Sequence, residues 1–400
     1  MTTTQHDPFT PPPGYRLRLP GPTEVPEAVR AALARPMINH RGSEFRAILA
    51  ATEALIRPVL GTANPVIFLA GSGTAAMEAT LANILAPGER VLVASHGQFG
   101  ERFADIGRAL GAEVDVIDFT WGEAPDPAKV AEKLREADYG ALLVTHNESS
   151  TGAVADLAAL GKLTQGTRTL LVTDSVSGLA GIEMRQDDWG VDIVVSASQK
   201  ALMCPPGLGI VSLSERARAR VMRNEAMPRF FFDFRKALTA AEKHETPFTP
   251  SVSNLAGLHV ALKLIEAETL PRVLARHRRL ADALRAGGAA MGLSEFTRAA
   301  HRSATVVVYE VPAALQGGDI VRLMYQRHAC VIAGARNRLQ GRVIRIGVMG
   351  AHNEGTILTD LVQLESVLVE LGHPVTPGAG VAAAAAFLAG GAPSVSRAAE

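Results

Sequence analysis

The chain has 400 residues, close to half of them apolar, and its 40 basic and 40 acidic side chains cancel. That length exceeds one simple core and predicts a large domain with a smaller one attached. Balanced charge removes any general argument for a nucleic-acid or acidic-surface partner, and the two cysteines, Cys204 and Cys330, match no metal-ligand spacing and build no disulfide framework.

The N-terminus, MTTTQHDPFTPPPGY, lacks the basic leader and apolar stretch of a secretory signal. No apolar run approaches the roughly 20 residues needed to span a bilayer. A cytoplasmic protein with no membrane partner is the expectation. Residues 1–14 read as a proline-rich arm. Two helical segments follow between about 25 and 60, separated by the polar turn INHRGSEF. A repeating pattern then begins: an apolar run at 66–70, Gly71-Ser72-Gly73, and a helical stretch to Leu85. Further strands are expected at 90–94, 114–117, 141–145, 169–173, 191–195 and 208–213, with a helix from about 97 to 110. Most of these runs are continuously apolar rather than alternating, as in a parallel sheet covered on both faces. The fold class expected is α/β with a mostly parallel central sheet.

After Ser251 the texture becomes α+β. Helix is expected from about 254 to 288, broken near Pro271, then strand at 305–311, helix at 319–328, strand at 343–346 and an amphipathic helix at 353–371. The alanine-rich stretch 381–390 reads as a terminal helix or frayed tail. The expected units are an arm at 1–19, a large domain at 20–253, a small domain at 254–378 and a tail at 379–400.

Several residues invite chemistry. Gly71-Ser72-Gly73-Thr74 follows a strand and opens a helix, where small residues let an anion approach free N–H groups and the positive dipole end; a tight turn needs small residues in any case. Asp174 ends a strand, where ligands of open α/β sheets bind, and an acid there holds a protonated pyridine nitrogen or merely caps a turn. Lys200 follows the strand at 191–195, ahead of Pro205-Pro206-Gly207. In a cofactor pocket such a lysine loses hydration and becomes a Schiff-base nucleophile, whereas on a surface turn it is only solvated. Phe99 lies near a helix start and either stacks on a planar ring or fills core. Arg345 interrupts an apolar strand, and its fork fits a carboxylate unless the position is an exposed edge.

The order of these features, with the wording around them, resembles the class V, fold-type I aminotransferases that use pyridoxal 5'-phosphate (PLP), and among them the serine–glyoxylate and alanine–glyoxylate group. The resemblance runs from Pro20-Gly-Pro-Thr to about Gly378. It is carried by Asn39-His-Arg-Gly-Ser-Glu-Phe, Gly71-Ser-Gly-Thr, Thr145-His-Asn-Glu-Ser-Ser-Thr-Gly, Val172-Thr-Asp-Ser-Val-Ser, Asp188-Trp-Gly-Val-Asp-Ile, Ser198-Gln-Lys, Pro205-Pro-Gly-Leu, Phe248-Thr-Pro-Ser and Arg345-Ile-Gly.

The resemblance implies a seven-stranded, mostly parallel sheet in the large domain and a small C-terminal α+β domain. It implies that Lys200 carries the cofactor and later moves the proton, that Asp174 pairs with the pyridine nitrogen, and that Phe99 and Val176 cover the two ring faces. Ser149 would approach the ring hydroxyl, and Ser72, Gly73, Thr74 and Gln199 would hold the phosphate. Thr249 would reach the phosphate of a neighbouring subunit, so a homodimer with shared sites is implied. Arg345 would clamp the substrate carboxylate. Relatives often carry a tyrosine where this chain has Thr246, which reduces the neighbour's contribution to phosphate binding.

The reaction implied is transamination between a small amino acid (serine, alanine or aspartate) and a small 2-oxo acid, glyoxylate foremost. An aspartate donor would want a second cation, for which His40, Arg41, Arg229 and Arg235 are candidates. Pyridoxamine–pyruvate aminotransferase shares the Phe248-Thr-Pro-Ser wording and is the first alternative. A PLP-dependent lyase with a nucleophilic cysteine is the second. A dinucleotide-binding dehydrogenase lacks its third glycine and ribose-binding acid here, and a catalytically silent scaffold would have no use for Asp174, Lys200 and Arg345 together.

Overall fold

A computed structural model describes residues 10–390. Its centre is a seven-stranded sheet whose strands are, in chain order, β1 (Val66–Gly71), β2 (Arg90–Ser95), β3 (Glu113–Asp118), β4 (Ala141–Thr145), β5 (Leu170–Asp174), β6 (Ile193–Ala197) and β7 (Gly207–Leu213). Across the sheet they lie in the order β1-β7-β6-β5-β4-β2-β3. Only β7 runs antiparallel to its neighbours, inserted between β1 and β6. The mostly parallel sheet expected from the sequence is therefore present.

The continuous apolar runs are explained by the two layers that sandwich the sheet. In β4, Leu142 and Val144 enter one core, while Ala141 and Leu143 enter the other. In β2, Leu92 and Ala94 divide from Val91 and Val93 in the same way. A strand with period-two geometry buried on both faces has no polar position left to alternate with.

Helix α1 (Gly73–Ile84) leaves β1 at Ser72, whose hydroxyl caps it by accepting from Ala75 N at 3.2 Å. Helix α2 (Gln98–Ala109) leaves β2 after Gly97. Helix α3 (Val252–Glu268) begins at the expected domain boundary. Its buried Leu255, Leu258 and Leu262 share a core with Phe45, Leu49 and Ile56 of the helix Ser43–Leu60, on the large-sheet side. Helix α4 (Leu270–Ala290) follows, and Pro271 sits in its first turn, where a missing N–H costs no hydrogen bond.

The small domain has a three-stranded antiparallel sheet of β8 (Val306–Glu310), β9 (Ala333–Gly334) and β10 (Val343–Gly347), in the order β8-β10-β9. Helix α4 and the helix Gly317–His328 pack on it, and helix α5 (Glu354–Glu370) adds Ile357, Leu361 and Leu364 to the same core. Helix α6 (Ala379–Ala389) lies where a tail was expected. Ala384 and Leu388 of that helix join the small-domain core, and Gly287 and Gly380 allow close backbone approach to α4. Residues 391–400 lie outside the described part.

Nor is the whole N-terminal arm free. Arg16–Leu17 pairs in parallel with Cys330–Val331, and Gly347 N donates to Arg18 O at 2.8 Å. Arg18, completely buried, donates from Nε to Asp360 Oδ2 at 2.6 Å, and Arg16 reaches Oδ1 of the same carboxylate at 2.9 Å. Residues 16–18 are thus clamped to α5. No helix among the described residues is long and apolar enough to cross a membrane.

Candidate active site

A cavity of about 220 Å³ opens at the carboxyl ends of the parallel strands. Ser72, Gly73, Thr74, Phe99, Ser149, Asp174, Val176, Gln199 and Lys200 line it, residues that the chain order spreads over more than 120 positions. Met77, Arg102 and Ser177 complete the wall. A larger open groove of about 1060 Å³ runs past Asp118, Glu123, Arg285 and Arg302. There Arg285 and Arg302 are already paired with Glu295. The smaller cavity is the candidate site, because Asp174 and Lys200 both line it.

Asp174 is the last residue of β5, with Thr145 of β4 and Val195 of β6 beside it in register. Its Oδ1 accepts from Val176 N at 2.8 Å. Burial pushes its carboxyl up to about 6, opposed by that N–H and by the positive charges of Arg102 and Lys200. Lys200 stands across the cavity on the turn after β6. Burial pulls its ammonium down to about 8; Asp174 opposes the shift, while Arg345 and Arg102 add to it.

The Lys200 turn is held from both sides. Met203 N donates to Lys200 O at 2.9 Å, and Ser198 Oγ donates to Pro205 O at 2.6 Å. From the N-terminal segment, Thr23 Oγ1 donates to Lys200 O at 3.0 Å and Thr23 N to Gln199 O at 3.1 Å. Lys200 Nζ donates to Pro20 O. Gly21, at φ +105°, lies so close that a Cβ there would overlap the lysine side chain.

The start of α1 forms a cradle. Gly73 has no room for a Cβ, which would lie 2.7 Å from Val176 Cγ2. Arg102 Nη1 donates to Thr74 Oγ1 at 3.0 Å, and its guanidinium lies 4.6 Å from the centre of the Phe99 ring. Gln199 Oε1 is buried without a partner. Free N–H groups at a helix start, a hydroxyl and a guanidinium fit a phosphate. Asp174, with Phe99 and Val176 on the walls, fits a flat ring carrying a protonated nitrogen. The residues present fit PLP.

Arg345 lies in β10, in register with Val308 and Ala333. Its Nε and Nη2 donate to Gly334 O at 3.0 and 2.7 Å, and its Nη1 to Ser149 O at 2.9 Å. Burial lowers its pKa, opposed by the charge of Glu148. Of five guanidinium N–H groups, three are engaged and two remain for a ligand.

His40, Arg41 and Thr249 do not line this cavity. Arg41 reaches the carbonyls of Thr246 and Pro247 and lies 3.7 Å from Glu245. Thr249 is exposed, and Thr246 donates its hydroxyl to Phe248 O at 2.7 Å. Arg229 and Arg235 both lie against Asp233. Both cysteines are buried, which pushes each thiol up to about 12, so neither offers the thiolate that a desulfurating lyase requires.

Two features of the site are not carried by the sequence motifs. Arg102 stands three residues after Phe99, a spacing that puts both on one helix face, and this signal was available. The contact of Pro20-Gly21-Pro22-Thr23 with Lys200 joins residues about 180 apart, and no local pattern announces it.

Comparison with known proteins gives the family. The family described as Aminotransferase class-V matches residues 24–354. The soluble hydrogenase small subunit of Synechococcus sp. (strain PCC 6716) is 39% identical over 93% of this chain and 98% of its own length. The serine–glyoxylate aminotransferase of Arabidopsis thaliana is 35% identical over 94% of this chain and 95% of its own. The crystal structure of pyridoxamine-pyruvate aminotransferase from Mesorhizobium loti superposes with a TM-score of 0.90 at 26% identity, covering 96% of this chain and 99% of that one. The chain belongs to the class-V aminotransferases, enzymes that use PLP.

Proposed function

We propose that this enzyme transfers the amino group of serine or alanine to glyoxylate, with PLP carried by Lys200. The observation that carries the reading is the convergence of the Lys200 amine and the Asp174 carboxylate on one cavity beside the start of α1. Bound PLP supplies the electron sink for the charge left when the donor's Cα loses its proton.

The chain's own groups do the rest. Lys200 Nζ, whose ammonium burial pulls down to about 8 in the cofactor-free protein, would take the proton from the donor's Cα and hold it for return. Asp174 keeps a proton on the ring nitrogen. Ser72, Gly73, Thr74, Arg102 and Gln199 hold the phosphate, Phe99 and Val176 exclude water from the ring faces, and Ser149 meets the ring hydroxyl. Arg345 offers its two unused N–H groups to the donor carboxylate.

A dicarboxylate donor fits less well, because Arg229 and Arg235 lie against Asp233. His40 or Arg41 would supply a second cation only across a subunit boundary. We place them there, with Thr249, facing the partner's cavity in a homodimer. Free pyridoxamine, which has no phosphate, would leave the Thr74–Arg102 cradle without a ligand, and this favours a phosphate-bearing cofactor.

The test is the visible spectrum of the purified protein with PLP, followed on adding L-serine, L-alanine or L-aspartate and then glyoxylate. A yellow band bleached by serine or alanine and restored by glyoxylate is expected, and Lys200→Ala should lose it. A band that no amino acid bleaches overturns the donor assignment. Conversion of free pyridoxamine and pyruvate to pyridoxal and alanine, without added PLP, would establish the alternative.

A further inference from the structure

Glu148 has no role in the chemistry above, yet it is completely buried and four donors converge on its carboxylate. Oε2 accepts from Phe99 N at 2.9 Å and Gly100 N at 3.2 Å, in the first turn of α2. Oε1 accepts from Ser150 N at 3.1 Å and Ser150 Oγ at 2.6 Å. That hydroxyl in turn accepts from Gln98 N at 3.0 Å. Helix α2 starts at a glycine and has no side-chain cap of its own, so Glu148 and Ser150 satisfy the amides a cap would serve. Gly97 makes this possible, because a Cβ there would overlap Glu148 Cγ.

The same turn holds Arg345. The carbonyl of Ser149 accepts from its guanidinium, whose other partner is the neutral carbonyl of Gly334. No carboxylate pairs directly with Arg345 among the described residues, and the charge of Glu148 is the one that supports it.

We propose that Glu148 is a positioning residue, whose carboxylate fixes the start of α2 and the ring of Phe99 while its turn seats Arg345. The link to catalysis rests on the proposed roles of Phe99 and Arg345; the anchoring of α2 does not. Glutamine is the discriminating substitution. Its amide has one acceptor oxygen, so its NH₂ must face either the α2 amides or Ser150 N, donor against donor.

Two measurements separate the anchoring from the function. In the cofactor-free protein, Glu148→Gln should speed amide hydrogen exchange at residues 98–101 about tenfold or more while distant helices keep their protection. In the PLP-bound protein it should alter the visible circular dichroism of the cofactor and raise the donor KM about tenfold, with kcat changed less, the size of one lost charge-assisted hydrogen bond. Gly97→Ala, which pushes the same carboxylate away, should reproduce both effects and serves if E148Q does not fold. Unchanged exchange in a folded variant overturns the anchoring. Faster exchange with unaltered dichroism and KM overturns the catalytic link. Uptake of no PLP by the wild type would sink the proposed function and leave the exchange result standing.

Discussion

At the scale of single residues, the site is a pair of opposed perturbations. Burial raises Asp174 to about 6 and lowers Lys200 to about 8, so in the cofactor-free protein both are charged between those values. The nucleophile that captures PLP is the neutral amine. Capture followed by the growth of the visible band should therefore speed up as pH rises through about 8 and level off above it. Asp174 raises the lysine's pKa, so Asp174→Asn should move that midpoint downward. An unmoved midpoint would remove Asp174 from the lysine's field. Gly21 carries a second residue-scale prediction. Gly21→Ala places a Cβ against Lys200 at φ +105°. It should cost about 1–3 kcal/mol in thermal or denaturant unfolding and slow capture as well. Lost stability with unchanged capture would mean that the lysine does not use the space beside Gly21.

Among elements, the strand–helix turn from β1 into α1 matters most. Gly73→Ala improves helix propensity by about 1 kcal/mol, yet its Cβ would lie 2.7 Å from Val176 Cγ2. Stability of the cofactor-free protein should change little, because these effects oppose each other. Cofactor affinity should fall about tenfold, or about 1.4 kcal/mol, as Val176 is pushed toward the ring. Titration of the visible band against PLP measures this, and unchanged affinity would show that Val176 does not border the bound ring. This turn was legible in the sequence because glycine, serine and threonine at a helix start satisfy local backbone demands. Arg102 was equally legible by its spacing from Phe99. Glu148 was not: its four donors come from Phe99, Gly100 and Ser150, and only the folded turn brings them together.

For the whole molecule, the N-terminal segment joins the two domains. Arg16 and Arg18 fasten it to Asp360 of α5, and Thr23 fastens it to the Lys200 turn. Arg18 is fully buried; its Nε meets Asp360, and its two terminal nitrogens have no hydrogen-bond partner among the described residues. Asp360→Ala would leave that charge unpaired in the interior and should destabilise the protein by about 3–5 kcal/mol. Chemical denaturation measures the loss. A change below about 1 kcal/mol would place the clamp with weak surface pairs.

The sequence by itself determined the class of fold, the seven strands and the order in which the candidate-site residues occur. Those properties are local: a strand buried on both faces must be apolar throughout, and a helix start that receives an anion must be small and rich in N–H groups. Tertiary structure alone decided that β7 enters antiparallel between β1 and β6, that α3 packs on the large sheet, that α6 belongs to the small-domain core, and that residues 20–23 reach Lys200. Each of these depends on contacts between segments far apart in the chain. Such contacts are selected by shape and by the pairing of buried charge, and neither leaves a periodic mark on the segments that meet.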